Sequence, residues 1–270
     1  MRCSPVCSVT VFILLMALAL PLSGCAVLFG IEHPTIEGRL VEGQKRQALV
    51  KRIAEGSRLP GSVKAMTRAT VKRGKSSETF RYSLVFASPS SIRVDVFPIN
   101  SAFTLQRLTA TNGKASLIDL TSKEALSGST EETFRKSFLQ VPASEQEVAA
   151  LLIGRLPQRY LEDKKLEVYQ SSNDITGLKG KGEMYWRMRA DNLAMQEVQV
   201  REPISGRLLV VATYGDLIPC GSFQIPGQVE VKIPADGTTF VFTHHKPECG
   251  SPIRSDIFDL AIPRGYVVRD

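Results

Sequence analysis

From Val63 to Phe242 the apolar residues of this chain fall mostly at every second position, and that period predicts strands. Val63, Ala65, Ala69 and Val71 alternate with Lys64, Arg68 and Lys72. Phe80, Tyr82, Leu84 and Phe86 alternate with Arg81 and Ser83, and Ile92, Val94 and Val96 with Arg93 and Asp95. Successive side chains of a strand point to opposite faces, so these runs describe antiparallel strands with one buried face and one wet face. Residues 103–110 and 115–120 continue the pattern on either side of Asn112-Gly113, a strong hairpin turn. Later strands carry Met184, Trp186 and Met188, then Val198 and Val200, residues 208–214, Val229 to Ile233, and Phe240 with Phe242. A last strand is expected over 257–262, stopped by Pro263, which makes about eleven.

The period changes to that of a helix in two places. Leu49, Val50 and Ile53 form an apolar stripe within 42–57, opposite Lys45, Arg46, Lys51 and Arg52, and Pro60-Gly61 ends it. At midchain Thr130 can cap a helix over 131–139, with Phe134 and Phe138 one turn apart. Ser144-Glu145-Gln146-Glu147 is a capping box opening a second helix with Val148, Leu151, Leu152 and Leu156, stopped by Pro157. A sheet this wide must curl to bury its apolar face. It either fills its interior with side chains or leaves a hydrophobic hollow, and periodicity does not separate the two.

Composition places the chain among ordinary globular proteins: 43% hydrophobic, 23% charged, net charge +7. The basic residues are spread along the chain, and nucleic acid is not an expected partner. The N-terminus adds a separate signal. A basic start at Arg2, an apolar run from Val9 to Leu22 and Leu22-Ser23-Gly24-Cys25 make a lipoprotein signal peptide over 1–24, with a lipobox in which Cys25 receives a diacylglycerol before cleavage. The run is shorter than the roughly 20 residues a spanning helix needs. Two or three acyl chains on Cys25 would anchor the protein durably. Ala26 in place of aspartate points to the outer membrane, with the domain facing the periplasm. Residues 25–40 read as a tether and 41–270 as one domain, expected as a monomer. Cys220 and Cys249 remain in the mature chain, and an oxidising compartment favours their disulfide over two free thiols. His244 and His245 point to opposite faces of a strand, so a metal site is not expected.

Several local patterns, in order along residues 49–268, resemble the outer-membrane lipoprotein receptor LolB and its relative, the periplasmic carrier LolA. They are Pro89-Ser90-Ser91-Ile92-Arg93-Val94-Asp95-Val96, the loop Phe97-Pro98-Ile99-Asn100, and the hairpin Asn112-Gly113-Lys114. Leu151-Leu152-Ile153-Gly154-Arg155-Leu156-Pro157, Ile225-Pro226-Gly227-Gln228-Val229-Glu230-Val231 and Phe258-Asp259-Leu260-Ala261-Ile262-Pro263 complete the set. The resemblance implies a mainly β fold with helices: an incomplete, half-open antiparallel barrel of about eleven strands closed by helices. It implies a hydrophobic cavity lined by Phe80, Tyr82, Leu84, Phe86, Ile92, Val94, Val96, Leu151, Leu152, Met184, Trp186, Met188, Phe240 and Phe242. Acyl chains of lipoproteins, or another lipid, would enter it from a LolA-like carrier and leave for the outer membrane. A membrane-contact loop with Phe97, Pro98, Ile99 and Phe103 would aid release, unless Ile99 folds back onto the core. Isoleucine stands there where the family has leucine, and the Cys220–Cys249 pair and the length of the C-terminal segment also depart from the family type.

No nucleophile elbow or phosphate loop accompanies the three histidines, His33, His244 and His245, so neither an enzyme nor a cofactor is expected. The remaining rival is a structural or sensory lipoprotein using the same fold to bind a protein partner or a different lipid.

Overall fold

Fifteen strands hydrogen-bond side by side in one open sheet. This computed structural model describes residues 34–87, 90–136, 143–180 and 183–269, and those from Pro34 onward belong to one unit. Cys25 and Phe138 lie outside the described residues. Arg39–Leu40 (β1), assigned to the tether by the sequence, pairs with a strand of the sheet. Gly43–Gly56 (α1) follows and buries Leu49 and Ile53, two members of the expected stripe. Ser62–Arg73 (β2) and Ser76–Ala87 (β3) pair along their whole length. Then come Ser91–Pro98 (β4), Gln106–Thr111 (β5), Lys114–Asp119 (β6) and Glu124–Ser129 (β7). Asn112 and Gly113 have φ of 51° and 78°, the left-handed pair that a two-residue hairpin turn requires.

The helical insert comprises Thr130–Lys136 (α2), Glu145–Leu152 (α3) and Gln158–Leu161 (α4). Strands resume at Glu167–Gln170 (β8), Asp174–Lys179 (β9), Met184–Arg189 (β10), Met195–Arg201 (β11) and Leu208–Tyr214 (β12). Leu217–Cys220 (β13) and Phe223–Pro226 (β14) form a separate ribbon before Gln228–Ile233 (β15), Thr238–Cys249 (β16) and Val267–Arg269 (β17). The sheet order is β1-β8-β9-β10-β11-β12-β15-β16-β2-β3-β4-β5-β6-β7-β17, antiparallel except where β17 runs parallel to β7.

The expected number of about eleven strands is too low. Ten of those expected are present, and seven more appear among the described residues. Most of the additions are two to four residues long, and β9 interrupts its alternation with Gly177. The expected strand at 257–262 is instead a 3-10 turn, Ser255–Phe258, with irregular chain after it. It covers the outer face of β4, where Arg93 donates to the Ile257 carbonyl at 3.0 Å. Asp95, expected on a wet face, is therefore buried, and it bridges Arg93 at 2.6 Å and Arg107 at 2.7 Å.

On the other face one apolar cluster joins side chains from β4, β5 and β6 to those of β8 through β12 and β16. Fifteen strands laid flat would span roughly 67 Å at ~4.8 Å per strand. The longest helix among the described residues, α1, has 14 residues and is about 21 Å long. So few helices cannot cover a flat face, and the sheet buries its apolar residues by curving around them. A second cluster at one end of the same face packs Val63 and Phe86 against Ala149, Ile153, Cys220 and Ile225.

Candidate functional site

The interior beneath β2, β3, β4 and β16 is filled. Trp186, Phe86, Ile92 and Met188 are fully buried, and Leu84, Val94, Leu152, Phe240 and Phe242 are buried in the same packing. Phe240 and Phe242 stack with ring centroids 6.1 Å apart, and Tyr82 meets Phe242 edge-on at 6.2 Å. Burial pushes the Tyr82 phenol up to about 12. Phe80, Tyr82 and Val96 are half-buried. These residues were expected to line a hollow; they pack on one another, Phe242 meeting Phe240 along β16 and Tyr82 across the intervening β2.

Space remains on the other flank, between the helical insert and β9 to β12. A cavity of about 300 Å³ lies there, lined by Val148, Leu151, Leu156, Met184, Val198, Val200, Leu209, Val210 and Tyr214 among others. Leu151 and Met184 are the two expected cavity residues that line it. Sequence reasoning missed Val198, Val200 and Val210 as lining. Their register is the signal that could have found them, since Met184 pairs with Val200 and Val200 with Val210 on one face.

The insert is fixed over this cavity by polar side chains. Ser144 Oγ accepts from the Glu147 amide at 3.3 Å while Glu147 Oε2 accepts from the Ser144 amide at 2.9 Å, the capping box expected from sequence. The other oxygen of Glu147 accepts from Arg159 and from the Tyr160 hydroxyl, joining α3 to α4. Burial, reinforced by the Glu147 charge, pushes the Tyr160 phenol up to about 12. Arg159 and Lys179 stand 5.0 and 5.1 Å from the Tyr160 ring, and Lys179 also reaches Asp163 at 3.6 Å. Arg159 and Pro203 line the cavity and are exposed, so it meets the surface between α4 and the β11–β12 turn.

Two exposed apolar side chains share that end of the sheet. Turns joining antiparallel strands fall alternately at the two ends. The β4–β5 loop, the β9–β10 turn and the β11–β12 turn all lie at the end where Phe80 pairs with Pro98 and Met184 with Val200. Phe103, in the β4–β5 loop, is 59% exposed, and Ile204, in the β11–β12 turn, is fully exposed. Phe97, Pro98 and Ile99, expected as the membrane-contact loop with Phe103, are half-buried. The exposed apolar side chain of that loop is thus Phe103, and Ile99 is half-buried. Ile204 lies outside any alternating run, so periodicity did not single it out.

At the opposite end Cys220 and Cys249 are bonded, with S–S 2.02 Å, and tie the β13–β14 ribbon to the last residue of β16. His244 is buried and His245 exposed, as adjacent strand residues must be. Cys25, expected from sequence to carry the lipid, lies outside the described residues.

No family model and no curated protein sequence matches this chain. Solved structures do match it in shape. A LolA superfamily protein of Nitrosomonas europaea superposes with a TM-score of 0.54 at 12% identity, over 79% of this chain and 97% of that one. A putative outer membrane lipoprotein-sorting protein domain of Vibrio parahaemolyticus gives 0.54 at 12% identity, over 80% and 96%. A DUF1329 family protein of Desulfovibrio piger gives 0.55 at 11% identity, over 79% and 95%. A mainly β chain with few helices, built on one open curved sheet, this protein has the LolA-like fold.

Proposed function

We propose that this chain is a lipid-binding lipoprotein, tethered through Cys25 to the outer membrane and facing the periplasm, which holds an acyl chain and passes it to the bilayer. The apolar cavity of about 300 Å³ under the helical insert carries this reading. An acyl chain in water costs about 0.8 kcal/mol per methylene, so an apolar hollow can hold one without covalent chemistry. We read the curved sheet as a half-barrel, with α3 and α4 as its lid over the cavity. No catalytic step is involved. Phe103 and Ile204, at the end where the cavity meets the surface, are the groups that enter lipid, and each adds about 1.5–3 kcal/mol on full burial. A LolA-like carrier on the donor side fits a receptor of this kind.

The filled interior supports a second reading. Ligand cavities run from about 300 to 1,000 Å³, and this one sits at the lower bound, too small for several acyl chains at once. A scaffold with the same fold, binding a protein partner, needs no larger space. Transfer between vesicles separates the two. The purified full chain should extract a fluorescent fatty acyl probe and deliver it to liposomes, and Phe103→Glu with Ile204→Glu should slow delivery several-fold. No probe uptake at all would leave the scaffold standing.

A further inference from the structure

Two buried polar atoms at one end of the cavity lack a hydrogen-bond partner among the described residues: Nε of Arg155 and the hydroxyl of Tyr214. They belong together in space. Gly154, at φ +64°, sits against Tyr214 so closely that a Cβ there would lie 3.4 Å from its ring, and Arg155 is the next residue. Buried polar atoms are almost always hydrogen-bonded, and two orphans on neighbouring residues that line one apolar cavity are the kind of exception a ligand resolves.

The other cations lining this cavity are engaged. Arg159 pairs with Glu147, Lys179 with Asp163, and Arg201 donates to the Gly206 carbonyl at 3.2 Å and to Gln199 Oε1 at 3.1 Å. Among the described residues Arg155 has no such carboxylate: its bond from Nη2 goes to the Gln224 carbonyl at 2.7 Å, a neutral acceptor. Burial lowers the Arg155 pKa from its ordinary value and pushes the Tyr214 phenol well above its own. The Tyr214 phenol keeps its proton because burial pushes it up, and the Arg155 guanidinium, although burial lowers it, starts far enough above neutral pH to stay charged, so the pair offers O–H and N–H to an acceptor. The uncompensated guanidinium makes a negative acceptor the preferred one and repels an amine. Beyond this pair lie two surface clefts of about 510 and 490 Å³, the first reaching Arg155 and the second Tyr214. A head group larger than two oxygens has room there.

We propose that the cavity takes a single-chain amphiphile with an anionic head, a carboxylate or a phosphate monoester. Its chain lies against Val198, Val200 and Val210, and its head sits on Arg155 and Tyr214. This rests on the lipid-binding reading and narrows it to one chain and one charge sign.

The test is calorimetric titration of the full chain with dodecanoate, dodecanol, dodecylamine and inorganic phosphate, each kept below micelle formation. Dodecanoate should bind at least about tenfold more tightly than dodecanol, with dodecylamine weakest and phosphate alone silent. In Arg155→Gln and in Tyr214→Phe the acid-to-alcohol ratio should fall toward one, while Arg155→Lys keeps a preference for the acid. Melting curves of each variant report whether it is folded. Equal binding of acid and alcohol to the unaltered chain overturns the head-group assignment and leaves lipid binding intact. Failure of every amphiphile overturns both. Phosphate binding without a chain would make this an anion site alone and reject the amphiphile.

Discussion

His244 Nε2 donates to the carbonyl of Leu152, the last residue of α3, at 2.9 Å, while its Nδ1 meets Thr67 Oγ1 at 2.9 Å. A carbonyl only accepts, so Nε2 carries the proton and Nδ1 accepts from the threonine. One side chain on β16 thereby caps the helix that roofs the cavity. Burial lowers the His244 pKa from its ordinary 6.5, and the neighbouring His245 adds to that, against the smaller pull of the Leu152 bond. The unfolded chain then binds the proton more readily than the folded one. Stability is full above about pH 6.5 and falls as the pH drops through that value, levelling only below the depressed folded pKa. Urea denaturation at pH 7.5 and 5.0 should show the loss, and His244→Phe should abolish that part of it. The same variant strands the Leu152 carbonyl and the Thr67 hydroxyl and should cost about 1–3 kcal/mol at pH 7.5.

Glu145 ties the same helix to the sheet from its other end. Its buried Oε1 accepts from the Gly113 amide and from the Thr130 hydroxyl, each at 2.8 Å. Glu145→Ala leaves the buried Thr130 hydroxyl and the part-buried Gly113 amide without this acceptor, and about 1–3 kcal/mol of stability should go with it. Glu145→Gln retains an oxygen and should lose less than half as much. Equal losses in the two variants, read from denaturant midpoints, would mean that packing rather than the carboxylate holds the helix there.

How much of this was readable from residues alone follows from what each position touches. The period of β2, β3, β4 and β15 depends on neighbours along one strand, and α1 announces itself through Leu49 and Ile53, so these were visible. The capping box at Ser144 and the turn at Asn112-Gly113 are local chemistry and were visible too. Asp95 was not, because its burial depends on Ile257, more than 160 positions away. The cavity was misplaced for a related reason. Alternation shows which face is apolar, but whether Phe240 and Phe242 leave a gap is decided by side chains that reach them from other strands, as Tyr82 does across β2. Likewise Arg155 reads as one more surface cation until β14 is folded against it.

The Cys220–Cys249 bond closes a segment with a sequence separation of 29. The chain-entropy treatment gives such a loop about 3–4 kcal/mol. The bond also holds the ribbon over Val63, Phe86 and Ile153. Cys220→Ser with Cys249→Ser should lower the melting temperature by several degrees and raise hydrogen exchange first in β13 and β14. Unaltered exchange in the ribbon would show that apolar packing alone keeps it in place.

Gly177, on β9, faces Trp186 across the β9–β10 pair, and a Cβ there would lie 2.0 Å from the indole ring. Neither the ring nor the backbone can give that much, because Trp186 is fully buried at the centre of the apolar cluster. Gly177→Ala must therefore expel the indole or part the strands. Overpacking typically costs about 1–3 kcal/mol, and a clash with a locked ring belongs at the upper end. Trp186 is the one tryptophan in the chain, so its fluorescence reports on this site without interference. The unaltered protein should emit at the short wavelength of a dry indole, and Gly177→Ala should shift emission toward the red before any denaturant is added. The strand pair also forms one wall of the cavity through Met184, so acyl probe binding should weaken in the same variant. An alanine variant with unshifted emission would mean that the strands adjust freely, and that this wall is softer than its packing indicates.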